Sequence, residues 1–260
     1  MYQDIELREI FHYFFLETLL RISDLKNFVL KGGVNLRLFF NSPRYSEDMD
    51  IDVLGGSLAT LEKNVYKILN DINFKRKLKT YGIDDLLVND PSKAKQTQTT
   101  QRFKLSLVNN NGDALPTKIE FSRRASKHEF VRVAERVDPE ISRKYSSLSY
   151  LVNHYDGSSA LLQKIYALAG RNQVEARDVF DIFILYLGGF AEGTKVSMID
   201  SETVLKAEEA LLSISYNEYQ AKVVEFLAEE IKDKYSNKEA WTEIQNRVLG
   251  VLVDEFRISK

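Results

Sequence analysis

Ser46-Glu47-Asp48-Met49-Asp50-Ile51-Asp52 is the most informative segment of this 260-residue chain. Acidic and apolar residues alternate in it with a period of two, which predicts a β-strand over residues 48–54 with one acidic and one apolar face. Carboxylates on one face repel one another unless a cation neutralises them. The segment is therefore a candidate Mg²⁺ site, and the alternative is an exposed strand whose acids face water.

A pair of glycines precedes this segment. Residues 28–30 form a short apolar run that predicts a buried strand, and a helical pattern over residues 34–40 follows Gly32 and Gly33. Backbone amides at a helix N-terminus bind phosphate well, although a Gly-Gly pair by itself is more often only a turn. Arg44 and Ser46 add a guanidinium and a hydroxyl for phosphate oxygens.

A hairpin is predicted farther along the chain. Residues 102–108 and 117–122 alternate in polarity and flank the turn signal of residues 109–113. In the second strand, Glu120 is a single acid between the apolar Ile119 and Phe121. Glu120 is a candidate third metal ligand, and the alternative is the ordinary patterning of a half-buried strand.

The rest of the chain has mainly helical patterns. A helix is predicted over residues 5–22 and a long one over 58–78, whereas residues 84–98 are polar and predict a loop. Beyond residue 156 only helical patterns occur, near residues 158–170, 176–187, 201–213, 216–234 and 238–256. The sequence therefore predicts an α+β domain over residues 1–155 and an all-α domain over residues 156–260.

Composition excludes several classes of function. The chain has no cysteine, so disulfides, thiolate metal sites and a cysteine nucleophile are excluded. No apolar run approaches the ~18–20 residues that span a bilayer, and the acidic start is unlike a signal peptide. We expect a cytoplasmic protein with no membrane partner. The net charge of −2 excludes a uniformly basic nucleic-acid binder.

Charged residues recur at helical spacing in the second half. Lys164 and Arg171 are seven residues apart and share one helix face, and Asp178 and Asp181 share a face of the next helix. A lysine suits the outer phosphates of a nucleotide, and an acid can orient it. The alternative is an interhelix network of salt bridges, such as one between Arg177 and Asp181.

Two groups of segments carry a family resemblance. Leu30-Lys31-Gly32-Gly33-Val34-Asn35-Leu36-Arg37-Leu38 and Arg44-Tyr45-Ser46-Glu47-Asp48-Met49-Asp50 form the first group, and residues 163–171 with 176–181 form the second. They resemble the AbiEii-type nucleotidyltransferase toxins of type IV toxin–antitoxin and abortive-infection systems, within the DNA polymerase β superfamily.

The resemblance implies a polymerase β-like mixed sheet with helices, followed by a helical bundle. By the same resemblance, Asp48 and Asp50 bind Mg²⁺ or Mn²⁺, Ser46 helps to hold phosphate, Lys164 contacts the triphosphate, and Asp178 is a further active-site acid. The nucleotide-binding set is then Gly32, Gly33, Arg44, Ser46, Lys164 and Arg171. One departure leaves the register open, because Asp50 and Asp52 also fit the acidic pair; the spacing from Ser46 favours Asp48 and Asp50.

The expected reaction moves a nucleoside monophosphate from an NTP to an acceptor. RNA such as a tRNA 3′ end is the first expected acceptor, a protein side chain the second and a small hydroxyl compound the third. The alternatives are a non-catalytic binding protein on the same scaffold and a hydrolase that uses the same acids. We expect the helical domain to bring Lys164 and Arg171 into a cleft opposite the carboxylates. A cognate antitoxin is an expected partner.

Overall fold

The computed structural model describes residues 2–90, 96–124, 128–192 and 199–256. Two compact units divide the chain. The first unit comprises Met1–Phe39, Tyr45–Lys127 and Arg132–Tyr155, and the second comprises Phe40–Arg44, His128–Val131 and Asp156–Lys260.

A mixed sheet forms the centre of the first unit. Its seven described strands are β1 (Phe28–Lys31), β2 (Met49–Val53), β3 (Ile83–Val88), β4 (Thr100–Asn109), β5 (Ala114–Ser122), β6 (Arg132–Arg136) and β7 (Leu151–Tyr155), in the order β3-β4-β5-β2-β1-β7-β6. The pairs β2–β5 and β1–β7 are parallel, and the other neighbours are antiparallel. The predicted α+β class with a mixed sheet is confirmed.

The two faces of the sheet differ in polarity. Met49, Ile51 and Val53 of β2 lie in the hydrophobic core, and the aspartates between them leave the other side. The core is closed by the helices α1 (Asp4–Ile22), α3 (Leu58–Leu69) and α4 (Ile72–Lys79), whose apolar side chains join the same cluster. We call the opposite side of the sheet, with Asp48, Asp50, Asp52 and Glu120, the acidic face.

Two short helices complete the first unit, α2 (Gly32–Phe39) after β1 and α5 (Pro139–Lys144) before β7. The helix predicted over residues 58–78 is divided in two, because Asp71 caps α4 by accepting hydrogen bonds from the amides of Asn73 and Phe74. The loop predicted over residues 84–98 is wrong in its first part, which forms β3, and residues 91–95 lie outside the described residues.

The described part of the second unit is helical in its regular structure. Its α-helices are α6 (Gly157–Gly170), α7 (Ala176–Leu187), α8 (Ser201–Ser213), α9 (Tyr216–Lys222), α10 (Glu229–Tyr235) and α11 (Lys238–Gly250). The stacked rings of Tyr219 and Trp241, with centroids 4.5 Å apart, join α9 to α11. The helix predicted over residues 216–234 is interrupted by a 3-10 turn at Val224–Phe226. No described helix is both long and apolar enough to cross a membrane.

Candidate active site

Parallel pairing of β2 with β5 brings two acids together on the acidic face. Asp50 is the register partner of Glu120, and Asp52 is the partner of Ser122. Neighbouring strands lie ~4.8 Å apart, so the side chains of Asp50 and Glu120 leave the same face side by side. The structure thus places Glu120, which comes from a different strand, next to the predicted aspartates.

Two of the four acids, Asp48 and Glu120, form ion pairs with basic residues of β5 and β4. Lys118 donates to Asp48 from its ammonium, at 2.5 Å from Oδ2, and from its backbone amide, at 3.1 Å from Oδ1. Arg102 donates to Oε2 of Glu120 from Nε at 2.7 Å. Both pairs are part-exposed, so a competing cation in solvent can reach the carboxylates.

Asp52 is held at both of its oxygens. Lys31 donates to Oδ1 at 2.5 Å, and the Tyr155 hydroxyl donates to Oδ2 at 2.8 Å. Burial of the Tyr155 hydroxyl and the adjacent Asp52 charge raise the pKa of Tyr155, so the phenol remains a hydrogen-bond donor. Asp52 is therefore held at both oxygens, as Asp48 is, but its partners come from β1 and β7 rather than from β5.

Asp50 is the acid with no such partner. Among the described residues, no hydrogen bond or ion pair reaches its carboxylate. Burial raises the pKa of Asp50, the charges of Glu120 and Asp48 raise it further, and those of Lys31 and Lys118 oppose the shift. Of the four acids, the ionised carboxylate of Asp50 would therefore be stabilised most by an additional cation.

Gly32 gives the chain close access to Asp50. Its φ of +71° is a left-handed conformation that glycine adopts readily, and a Cβ at this position would lie 3.0 Å from Oδ2 of Asp50. Gly33 follows in the first turn of α2. The bare backbone at Gly32 therefore borders the carboxylate on the side of the helix N-terminus.

The donor chemistry of the acidic face fits a hard divalent cation. Asp48, Asp50 and Glu120 offer carboxylate oxygens, which are the ligands that Mg²⁺ prefers. The described residues contain no group of three or more ligand side chains already converged on one point. Arg102 and Lys118 form ion pairs with Glu120 and Asp48, so a metal ion would have to compete with these bases.

Part-buried hydrogen bonds position the segment before Asp48. The Ser46 hydroxyl donates to the carbonyl of Asp48 at 2.8 Å, and the Thr117 hydroxyl donates to the carbonyl of Glu47 at 2.7 Å. Nε2 of the buried His12 lies 2.9 Å from the Thr117 oxygen. Because the Thr117 proton is already donated to Glu47, His12 must donate through Nε2–H.

The second unit contains a buried cluster of charged side chains. Lys164 of α6 lies 3.0 Å from Asp178 and 2.7 Å from Asp181, and both aspartates of α7 are fully buried. Arg44 contacts both oxygens of Asp181 at 3.0 Å from Nη2. Arg171 donates to Asp178 at 2.6 Å and has a 37% exposed side chain, so it is the most accessible member of the cluster.

The cluster balances desolvation against charge pairing. Burial lowers the pKa of Lys164, but Asp181 and Asp178 outweigh it and the net shift is upward. Burial raises the pKa of Asp178, but Lys164 and Arg171 outweigh it and the net shift is downward. Lys164 and Asp178 therefore remain charged at neutral pH. The structure combines the predicted Lys164, Arg171 and Asp178 with Arg44, which the sequence had suggested as a separate phosphate ligand.

Several residues that contact or support the acids of this site were not identified from the sequence. Lys118 precedes Glu120 by two residues and therefore shares its face, which is a signal that the alternation of β5 contained. The pairing of Arg102 with Glu120 and that of Lys31 with Asp52 become visible only through the strand register. Tyr155 and His12 carry no local signal, because their roles depend on contacts more than 100 residues away.

Comparison with known proteins places these observations in context. The sequence model of the family described as nucleotidyl transferase AbiEii toxin, type IV toxin–antitoxin system, matches residues 15–257. No match was found among curated proteins. Two solved structures share the fold. MenT4, a nucleotidyltransferase toxin from Mycobacterium tuberculosis, is 17% identical with a TM-score of 0.64, over 96% of this chain and 84% of that chain. JHP933 from Helicobacter pylori is 16% identical with a TM-score of 0.54, over 98% of this chain and 95% of that chain.

Proposed function

Because the chain belongs to the AbiEii family of nucleotidyltransferase toxins of type IV toxin–antitoxin systems, we propose that it transfers a nucleoside monophosphate from an NTP to an RNA acceptor. The acceptor hydroxyl loses its proton to solvent as its oxygen forms a bond to the α-phosphorus. The bond from that phosphorus to the oxygen that bridges the α- and β-phosphates breaks, and pyrophosphate leaves. The observation that carries the proposal is Asp50, a carboxylate without a protein partner among the described residues, side by side with Glu120.

Asp48, Asp50 and Glu120 are the proposed ligands of Mg²⁺ or Mn²⁺. When bound, the metal ion would polarise the phosphate and activate the acceptor hydroxyl. The protein's part is to fix the carboxylates: the hydrogen bonds of Thr117 and Ser46 set the backbone before Asp48, and β5 sets Glu120 beside Asp50. Asp52, held by Lys31 and Tyr155, is proposed to support the strand rather than to bind metal.

Several groups are proposed to bind phosphate. Gly32, Gly33 and Ser46 offer amides and a hydroxyl near the acids of the first unit. Lys164 and Arg171 are proposed to neutralise the outer phosphates, as the family resemblance implies, with Arg171 the more exposed of the two. In this proposal the buried acids Asp178 and Asp181 orient Lys164, and Arg44 holds Asp181 in place.

RNA is the proposed acceptor, with a tRNA 3′ end as the first test case, and a cognate antitoxin in the cytoplasm is the proposed partner. Membership of a toxin–antitoxin family supports the antitoxin. The basic side chains of Lys118 and Arg102, adjacent to the carboxylates on β5 and β4, also favour a polyanionic acceptor.

Labelled nucleotides test this function. Each NTP, labelled at its α-phosphate, is incubated with the protein and either total RNA or an RNA-depleted extract, with Mg²⁺ or with a chelator. We expect metal-dependent label on RNA, and none with the Asp50→Asn variant. Label on a protein would identify a different acceptor. Release of free labelled nucleotide without a labelled acceptor would indicate a hydrolase, and no turnover in any mixture would contradict the proposed activity.

A further inference from the structure

The acidic face continues beyond the carboxylates as a basic surface on β4 and β5. Arg102 of β4 is the register partner of Glu120, and Lys104 is the partner of Lys118. Residues two apart on a strand share a face, so Lys104, Lys118 and Arg102 all leave the same side of the sheet as Asp50. We call these three residues the basic strip.

The pairing of Lys104 with Lys118 is unfavourable in the protein alone. Like charges directly opposite each other on antiparallel strands destabilise the pair. The Lys118 ammonium is compensated by Asp48, but no acid lies within ion-pairing distance of Lys104 in the part of the chain that the structure describes. Its side chain is exposed. The basic strip therefore has a cation at its outer end that an external anion can bind.

The position of Lys104 relative to the acids restricts the anion. Two strand spacings separate β4 from β2, which places the Lys104 backbone about 10 Å from that of the aspartates. Lys104 lies one strand farther from the aspartates than Lys118, which itself reaches Asp48, so we assign the anion at Lys104 to a group other than the reacting phosphate. A second phosphate of the same acceptor strand meets this distance, whereas a nucleoside or a small alcohol has no such group.

We propose that the basic strip binds the phosphodiester backbone of the acceptor strand, with Lys104 on a phosphate upstream of the reacting hydroxyl. This inference rests on the proposed nucleotidyl transfer and adds to it the surface that selects the acceptor. Lys118 and Arg102 join Lys104 when Asp48 and Glu120 turn from these bases to a metal ion, because each base then needs a new anion.

A matched pair of lysine variants tests the inference. Lys67 is exposed on α3, the helix layer on the other side of the sheet, and like Lys104 it has no ion-pair partner among the described residues. The probe is a short fluorescein-labelled single-stranded RNA, and its dissociation constant is measured by anisotropy over a series of salt concentrations for wild type, Lys104→Ala and Lys67→Ala.

The logarithm of the association constant falls as the logarithm of the salt concentration rises, and loss of one phosphate contact makes this negative slope shallower by about 0.7 for a single strand. For Lys104→Ala we also expect about fivefold weaker binding at low salt. Lys67→Ala should match wild type in both respects. Lys104→Ala should also raise the KM for RNA and leave the KM for NTP unchanged.

Three results would overturn the proposal: an unchanged salt slope in Lys104→Ala, an equal loss in Lys67→Ala, or competition by a polyglutamate peptide as strong as that by unlabelled RNA. If the proposed nucleotidyl transfer is wrong but the basic strip binds RNA, the measurements would differ. Wild type would then bind RNA through Lys104 without transferring nucleotide to it.

Discussion

Replacement of Lys164 by methionine tests the buried charge cluster. Lys164 contacts Asp178 and Asp181, which are fully buried, at 3.0 and 2.7 Å. Removing one partner of a buried ion pair costs about 3–5 kcal/mol. Arg44 still compensates Asp181 and Arg171 still compensates Asp178, so neither acid is left without a base. We therefore expect the lower end of that range, about 3 kcal/mol.

The assay uses the single tryptophan of the chain. Trp241 is 3% exposed in α11 and stacks on Tyr219, so its fluorescence reports unfolding of the second unit. Urea titrations should show a clearly lower midpoint for Lys164→Met, corresponding to a decrease in melting temperature of about 10 °C. Lys206→Met, which removes an exposed lysine of α8, should leave the midpoint unchanged.

A second substitution tests the physical cause. Removing a carboxylate charge together with the lysine leaves fewer uncompensated groups, so Lys164→Met/Asp178→Asn should be less destabilised than the sum of the two single variants. A Lys164→Met protein with the urea midpoint of wild type would refute the assignment of Lys164 as the counter-charge of both aspartates.

Two further predictions concern the first unit. Burial lowers the pKa of His12 to about 4 from an ordinary value of 6.5. Between these two pH values the unfolded chain binds more protons than the folded protein does. The free energy of unfolding therefore falls as the pH falls, by up to about 3 kcal/mol. Urea midpoints measured from pH 7 to pH 4 should show this loss in wild type and a smaller one in His12→Gln; equal slopes would exclude His12 as the cause. Gly32→Ala should lower the free energy of unfolding by about 1–2 kcal/mol, because alanine is strained at this positive φ. The added methyl group should also displace Asp50 and so weaken Mn²⁺ binding, which is measured by electron paramagnetic resonance. Gly112→Ala, with φ of +85° and open space around it, should have the same backbone cost but normal Mn²⁺ binding, and equal Mn²⁺ affinity in both variants would contradict the contact.

Local patterns predicted the parts of the site that depend on one strand. The alternation in β2 gave the shared face of Asp48, Asp50 and Asp52, and the apolar neighbours of Glu120 indicated its half-buried position on β5. Whether Glu120 lies beside Asp50 depends on the parallel register of β2 and β5, which joins residues 70 apart. A slip of one residue would turn Glu120 to the other face, so local sequence alone does not specify the pair.

The same limit applies to the elements and partners that were missed. The edge strand β6 is short and mostly exposed, so it has no apolar alternation from which to predict it. Arg44 reaches Asp181 across 137 residues, and no local pattern contains that separation. The break between α3 and α4, in contrast, was predictable from the sequence. Asp71 lies within the helical pattern of residues 58–78, and aspartate is a residue type that favours the N-cap position.

The proposed metal ligands are tested most directly by the single-turnover rate of nucleotide transfer in four conservative variants of the acidic face: Asp48→Asn, Asp50→Asn, Asp52→Asn and Glu120→Gln. Metal-ion stabilisation of transition-state charge contributes several kcal/mol, so loss of a ligand should lower the rate about a thousandfold. We predict that size of loss for Asp48→Asn and Asp50→Asn, a substantial loss for Glu120→Gln, and a much smaller one for Asp52→Asn. Near-normal transfer by Asp48→Asn together with an inactive Asp52→Asn would contradict the account and shift the catalytic pair by two residues.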